Sequence, residues 1–138
     1  MKIMHEITIL NHRLHRLQNE YIAPLGLSGA HGRLLLRIAE KPGISQDELA
    51  QKAYVDKSSI ARHMAAMEEQ GLVCRKTDPA NRRVLCIYPT ERGQEIIPKL
   101  QKAVKEWESV VFQDLSSWEL SQLLSLLTRV RQGVGEAD

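Results

Sequence analysis

Two helix starts near the middle of the chain, at Ser45 and Asp56, restrict most sharply what it can fold into. Ser45-Gln-Asp-Glu48 has the form of a capping box. In it the serine hydroxyl accepts a free N–H of the first turn and the glutamate reaches back to the N–H of the cap. Ile44 and Leu49 stand at the positions of a hydrophobic staple on the same helix start, so a short helix is predicted over 46–53. Asp56 is a second N-cap, and Gly71 stands where a left-handed residue closes the helix that Asp56 opens. Within that second helix Ile60, Met64 and Met67 form one apolar stripe, and the spacing assigns Ser59, Arg62, His63 and Ala66 to the opposite face. Tyr54-Val-Asp56 is the brief connector. Short helix, tight turn, longer helix with a polar outer face: this is a helix-turn-helix. Hydroxyls, a guanidinium and an imidazole on the outer face suit base edges in a major groove. An amphipathic helix with one arginine is by itself an ordinary surface helix, so its neighbours carry the reading.

After Gly71 the pattern changes. Leu72–Thr77 and Val84–Pro89 are short runs rich in Val, Cys, Ile and Tyr, reading as two strands. Between them Asp78-Pro-Ala-Asn-Arg-Arg83 is a turn-rich tip with two adjacent arginines. A basic hairpin directly behind a helix-turn-helix is a wing, whose arginines can reach phosphates or a narrow minor groove. The charge distribution agrees. Lys57, Arg62, Arg75, Lys76, Arg82 and Arg83 face Asp56, Glu68, Glu69 and Asp78 within this stretch, and the rest of the chain is balanced, so the net +2 lies here. A local basic face is what phosphate binding requires.

The flanks are helical. Ile3, Ile7, Leu10, Leu14, Leu17 and Tyr21 recur at alternating intervals of four and three on a helix ending near Pro24. So narrow a stripe at a terminus asks for a matching groove, and a second copy of the chain would supply one. Ser28 caps a helix with Leu34, Leu35, Ile38 and Ala39 on its inner face, ended by Lys41-Pro-Gly43. Thr90 opens a long helix to about Gln113, with Ile97, Leu100, Val104, Trp107 and Val111 on one face and Pro98 expected to kink it. Ser116-Ser-Trp-Glu119 is another capping box, stapled by Leu115 and Leu120. It opens a last helix that carries Leu123, Leu124, Leu127 and Val130 and ends by Gly133.

The 138 residues are expected to form a single domain. Residues 28–90 are its winged helix-turn-helix lobe, and residues 1–24 and 91–133 a helical dimerisation region. No signal peptide or membrane-length apolar run interrupts this picture, so a cytoplasmic, nucleoid-associated protein without membrane contact is expected. There is no Gly-rich phosphate loop, nucleophile motif or paired-carboxylate pattern, so an enzyme is not expected, nor a cofactor.

The chain resembles the MarR family of bacterial transcription regulators over nearly its whole length. The carrying residues are Gly43-Ile-Ser-Gln-Asp-Glu-Leu-Ala50, Val55-Asp-Lys-Ser-Ser-Ile-Ala-Arg62 and Met67-Glu-Glu-Gln-Gly-Leu-Val73. Arg75, Asp78-Pro-Ala-Asn-Arg-Arg83 and Pro89-Thr-Glu-Arg-Gly93 continue it. The family often has an acid at Asn81 and a leucine at Pro89. The resemblance implies a mainly α fold of six helices with a small β-hairpin wing, and a homodimer whose terminal helices interlock. It implies a sequence-specific binder of double-stranded DNA, most simply a repressor, on a pseudo-palindromic operator. Lys57, Ser58, Ser59, Arg62, His63 and Arg75 would then contact bases or phosphates, and Arg82 or Arg83 would enter the minor groove. Asp78 would tie down the wing by pairing with an arginine. A small aromatic effector, held near Tyr21, His31 and Trp107, would release the DNA.

Two other regulators of the same fold are conceivable. His5, His12 and His15 on the first helix suggest a metal sensor, against which no second wall of ligands falls on the last two helices; no metal site is expected. Cys74 and Cys86 flank the wing and could face each other as a redox switch, although small buried thiols are the commoner case.

Overall fold

A computed structural model describes residues 1–135. Six helices and a small sheet follow in the order α1 (Lys2–Ile22), a 3-10 turn (Ala23–Leu25), α2 (Gly29–Glu40), β1 (Ile44–Ser45), α3 (Gln46–Ala53), α4 (Lys57–Glu69), β2 (Val73–Asp78), β3 (Asn81–Pro89), α5 (Glu91–Val111) and α6 (Ser117–Val134). Two compact units divide the chain within α5, the first spanning Met1–Val104 and the second starting at Lys105.

The first unit holds the helix-turn-helix. Its core joins Leu35 and Ile38 of α2, Leu49 of α3, Ile60, Met64 and Met67 of α4, and Ile44, Val73 and Ile87 of the sheet, all essentially inaccessible. The Ile60-Met64-Met67 stripe is therefore the buried face, as its spacing demands. Ser28, Ser45 and Asp56 each accept the N–H expected of an N-cap. Gly71 adopts φ +75°. Its N–H meets the Glu68 carbonyl at 3.0 Å and that of Leu72 meets Met67 at 2.9 Å, the paired closure of a Schellman motif.

Two local expectations change. The sheet has three strands, in the order β1-β3-β2, because Ile44-Ser45 pairs antiparallel with Ile87 and Cys86. The Ser45 capping box is only half formed. Ser45 Oγ takes the Glu48 N–H, but the Glu48 carboxylate turns to Lys41 Nζ at 2.8 and 2.9 Å. A cation from the preceding turn outcompetes a neutral backbone N–H for a charged acceptor. Pro98 lies inside α5, which runs as one helix through Val111.

In the second unit Ser116 and Glu119 complete a reciprocal capping box at the start of α6. Exposed apolar side chains run along α6, among them Leu124, Leu127 and Val130. In the first unit the N-terminal half of α1 is likewise uncovered, with Ile3, Ile7 and Leu10 at 66%, 42% and 51% exposure. No helix among the described residues is long and apolar enough to cross a membrane.

Candidate nucleic-acid interface

The outward line of α4 follows from its buried one. At 100° per residue, the positions most directly opposite Ile60, Met64 and Met67 are Ser58, Arg62, Ala65 and Glu69, and all four are exposed. Ser59, His63 and Ala66, expected on that face, flank it and are half-buried. The His63 ring stands edge-on to His31 of α2, centroids 5.3 Å apart. Burial first, then the nearby His63 charge, lower the His31 pKa, and a hydrogen bond with Gln70 partly opposes them.

At the start of α4 one carboxylate organises its neighbours. Asp56 Oδ1 accepts from the Ser59 N–H at 2.8 Å and from Ser58 Oγ at 2.7 Å, while Oδ2 accepts from Ser59 Oγ at 2.9 Å. Arg62 Nη2 then donates to Ser59 Oγ at 3.0 Å. The Ser59 backbone bond first, then the two hydroxyls, hold the Asp56 carboxyl well below the usual carboxylate range. Lys57 is exposed, 3.7 Å from Asp47. The sequence marks Asp56 as a cap; that it also fixes the Ser58 and Ser59 hydroxyls follows only from the folded arrangement.

The wing differs from its expected outline. β2 and β3 close through a tight turn at residues 78–81, and Asp78 Oδ1 accepts the Ala80 N–H at 2.9 Å. Asp78 thus fastens the turn through the backbone rather than by an arginine pair, since an aspartate bonds most readily two residues onward. The register passes from Thr77↔Leu85 to Asp78↔Asn81, leaving residues 82–84 in a bulge. Both Arg82 and Arg83 lie in this bulge, exposed, and Asn81 Oδ1 holds the Arg83 N–H at 3.1 Å.

Arg75 points back toward α4. Its backbone N–H and Nη2 reach the two Glu68 carboxylate oxygens at 3.1 and 3.3 Å, lowering the Glu68 pKa through the backbone bond first. The pair braces the wing against the helix. Cys74 lies opposite Tyr88 and Cys86 opposite Lys76, so the two thiols are diagonal and do not face each other as the redox reading supposed. Directly opposed residues come close enough for a disulfide, whereas diagonal ones stand about 7–8 Å apart.

The family model described as "MarR family" matches residues 27–85. An uncharacterized HTH-type transcriptional regulator, YybA of Bacillus subtilis (strain 168), is 30% identical over 132 residues, covering 96% of this chain and 88% of that protein. The chain belongs to the MarR family. Among MarR-family structures, the transcriptional regulator SlyA superposes with a TM-score of 0.88 at 33% identity, covering 97% of this chain and 94% of that one. A mutant MarR from E. coli complexed with operator DNA gives 0.87 at 25% identity, covering 94% of each chain. The chain is therefore a MarR-family winged-helix transcription regulator, and the family's members are regulators rather than enzymes.

Within the first unit this MarR-family chain has a recess of about 670 Å³, lined by His15 of α1, Arg33 and Arg37 of α2, Tyr54 and Val55 of the connector, and His63 of α4. Of the residues expected to hold an effector, His31 touches the His63 ring but does not line the recess, nor does Tyr21. Trp107 is buried in the second unit.

Proposed function

We propose that this regulator binds a pseudo-palindromic operator in double-stranded DNA as a homodimer and represses transcription there, in the cytoplasm at the nucleoid. The observation that carries the reading is the exposure of two polar, arginine-bearing elements on one unit: the α4 line of Ser58 and Arg62, and the wing bulge of Arg82 and Arg83. Guanidinium donors suit guanine edges and phosphates. Ser58, Ser59, Arg62 and His63 serve the major groove, Lys57 and Arg75 the backbone, and Arg82 or Arg83 the minor groove, with Asp78 holding the wing turn. Residues 28–90 act as the DNA-binding lobe, and residues 1–24 and 91–133 as the dimerisation region. The uncovered apolar lines on α1 and α6 support association with a second copy, because exposed stripes of this length favour burial against a partner. The MarR mutant complexed with operator DNA supports the DNA reading by likeness.

Release by a small aromatic effector is part of the same proposal. The recess touches both ends of the path into α4, Tyr54-Val55 before it and His63 within it, and its size suits a small molecule. His15, Arg33 and Arg37 would favour an anionic group on a ligand there. A ligand that prefers a dimer with the wrong lobe spacing lowers DNA affinity by that difference in free energy.

Selection from a random duplex library with purified protein, alongside sedimentation, tests the core of this reading. Expected are dimers and a two-fold symmetric site with half-sites about 34 Å apart. Indifference to every sequence even in dilute salt would refute it.

A further inference from the structure

We infer that Ser58 is an amino-group reader: at one position of each half-site its hydroxyl favours adenine or cytosine over guanine or thymine. This rests on the DNA-binding reading above and adds which atoms of the DNA are recognised.

A serine hydroxyl has one proton and two lone pairs. An ionised carboxylate only accepts, so the Ser58 Oγ–Asp56 Oδ1 bond of 2.7 Å directs the Ser58 hydroxyl proton toward the aspartate. The depressed Asp56 pKa keeps that carboxylate ionised in any ordinary buffer. Toward solvent, exposed Ser58 therefore presents lone pairs alone. Phosphate oxygens are acceptors as well, so a hydroxyl held this way has nothing to offer the DNA backbone. In the major groove the donors are the amino groups N6 of adenine and N4 of cytosine, whereas guanine O6 and N7 and thymine O4 accept. Every base pair has one amino partner, so an acceptor on the protein reads which strand carries it.

Ser59 has the same polarity but is half-buried and already accepts from Arg62 Nη2 at 3.0 Å. Arg62, four residues after Ser58 on the exposed line, has only donors to present. The helix thus shows an acceptor and a donor fork one turn apart, and Asp56 sets the polarity of the acceptor.

The test is a random-duplex selection with the parent, Ser58→Ala, Asp56→Asn and Asp56→Gly. Both Asp56 substitutions retain a helix start, since asparagine caps as well as aspartate and glycine nearly so. Asparagine keeps one carbonyl oxygen for the Ser59 N–H and the Ser58 hydroxyl together, whereas glycine leaves the Ser58 proton free to turn outward. The parent is expected to favour adenine or cytosine by about three- to tenfold at one position per half-site. Ser58→Ala should erase that preference at that position alone, Asp56→Asn should keep it, and Asp56→Gly should level amino against keto bases. A uniform loss in Ser58→Ala with a shallower salt dependence would identify a phosphate contact and overturn the inference. So would a lost position that favoured guanine or thymine, or a preference intact in Asp56→Gly. A parent that binds no duplex sinks the DNA reading itself, a result distinct from all of these.

Discussion

Gly93 tests the joint between the end of α4 and the start of α5. A Cβ at this position would lie 2.2 Å from the Leu72 carbonyl oxygen, about 1 Å inside the closest ordinary carbon–oxygen approach. The obstacle is backbone, so the first turn of α5 must move rather than a side chain. Three bonds fasten that turn: Thr90 N to the Leu72 carbonyl at 3.0 Å, Thr90 Oγ1 to the Gly71 carbonyl, and Arg92 Nη1 to the Gln70 carbonyl at 2.7 Å. A displacement of about 1 Å breaks them, at a net of about 1 kcal/mol each. Replacing glycine by alanine in a helix returns at most about 1 kcal/mol. Gly93→Ala should thus lose about 2 kcal/mol, lowering Tm by about 7 °C in a domain of this size. Gly133→Ala is the matched control, since a Cβ there meets nothing within 4 Å, and it should leave Tm unchanged or slightly raised. Thermal unfolding followed by circular dichroism reads both. A Gly93→Ala variant melting with or above the parent would refute the reasoning.

Arg82→Ala and Arg83→Ala should each weaken binding on every duplex and reduce the salt slope by about 1, measured by fluorescence anisotropy across salt concentrations. Arg62→Ala should cost about 1–3 kcal/mol on the selected operator and relax preference at the bases it faces; equal losses on operator and unrelated DNA would contradict base reading. Replacing both Ile7 and Leu10, exposed on α1, by arginine should give monomers in sedimentation and remove tight operator binding. The depressed His31 pKa sets a pH dependence. The fold favours neutral imidazole, so this contribution is complete above the ordinary value of 6.5 and is lost as pH falls through the depressed one. Between about pH 7 and about pH 5 the parent's Tm should fall more than that of His31→Gln; parallel curves would rule the histidine out.

Features whose cause is local are legible in the order of the residues. Ser28, Ser45, Asp56 and Ser116 open their helices and Gly71 closes α4, because a cap and the N–H it accepts lie within a few residues of each other. The buried stripe of Ile60, Met64 and Met67 was legible for the same reason, as periodicity alone selects one face. The family resemblance rested on these signals in series with the wing, and the match over residues 27–85 agrees with it.

Which polar groups meet depends on how the chain folds back on itself. Glu48 abandons its box for Lys41, Arg75 turns from solvent to Glu68, and His63 lies against His31. Likewise β1 exists because β3 comes alongside it, and the arginines of the wing sit in a bulge because the ladder slips between Thr77 and Asp78. Each of these choices is a competition among partners brought together by chain folding, with small differences in free energy between them. Spacing along the chain fixes what a side chain can reach on its own element, and says nothing of what arrives from another.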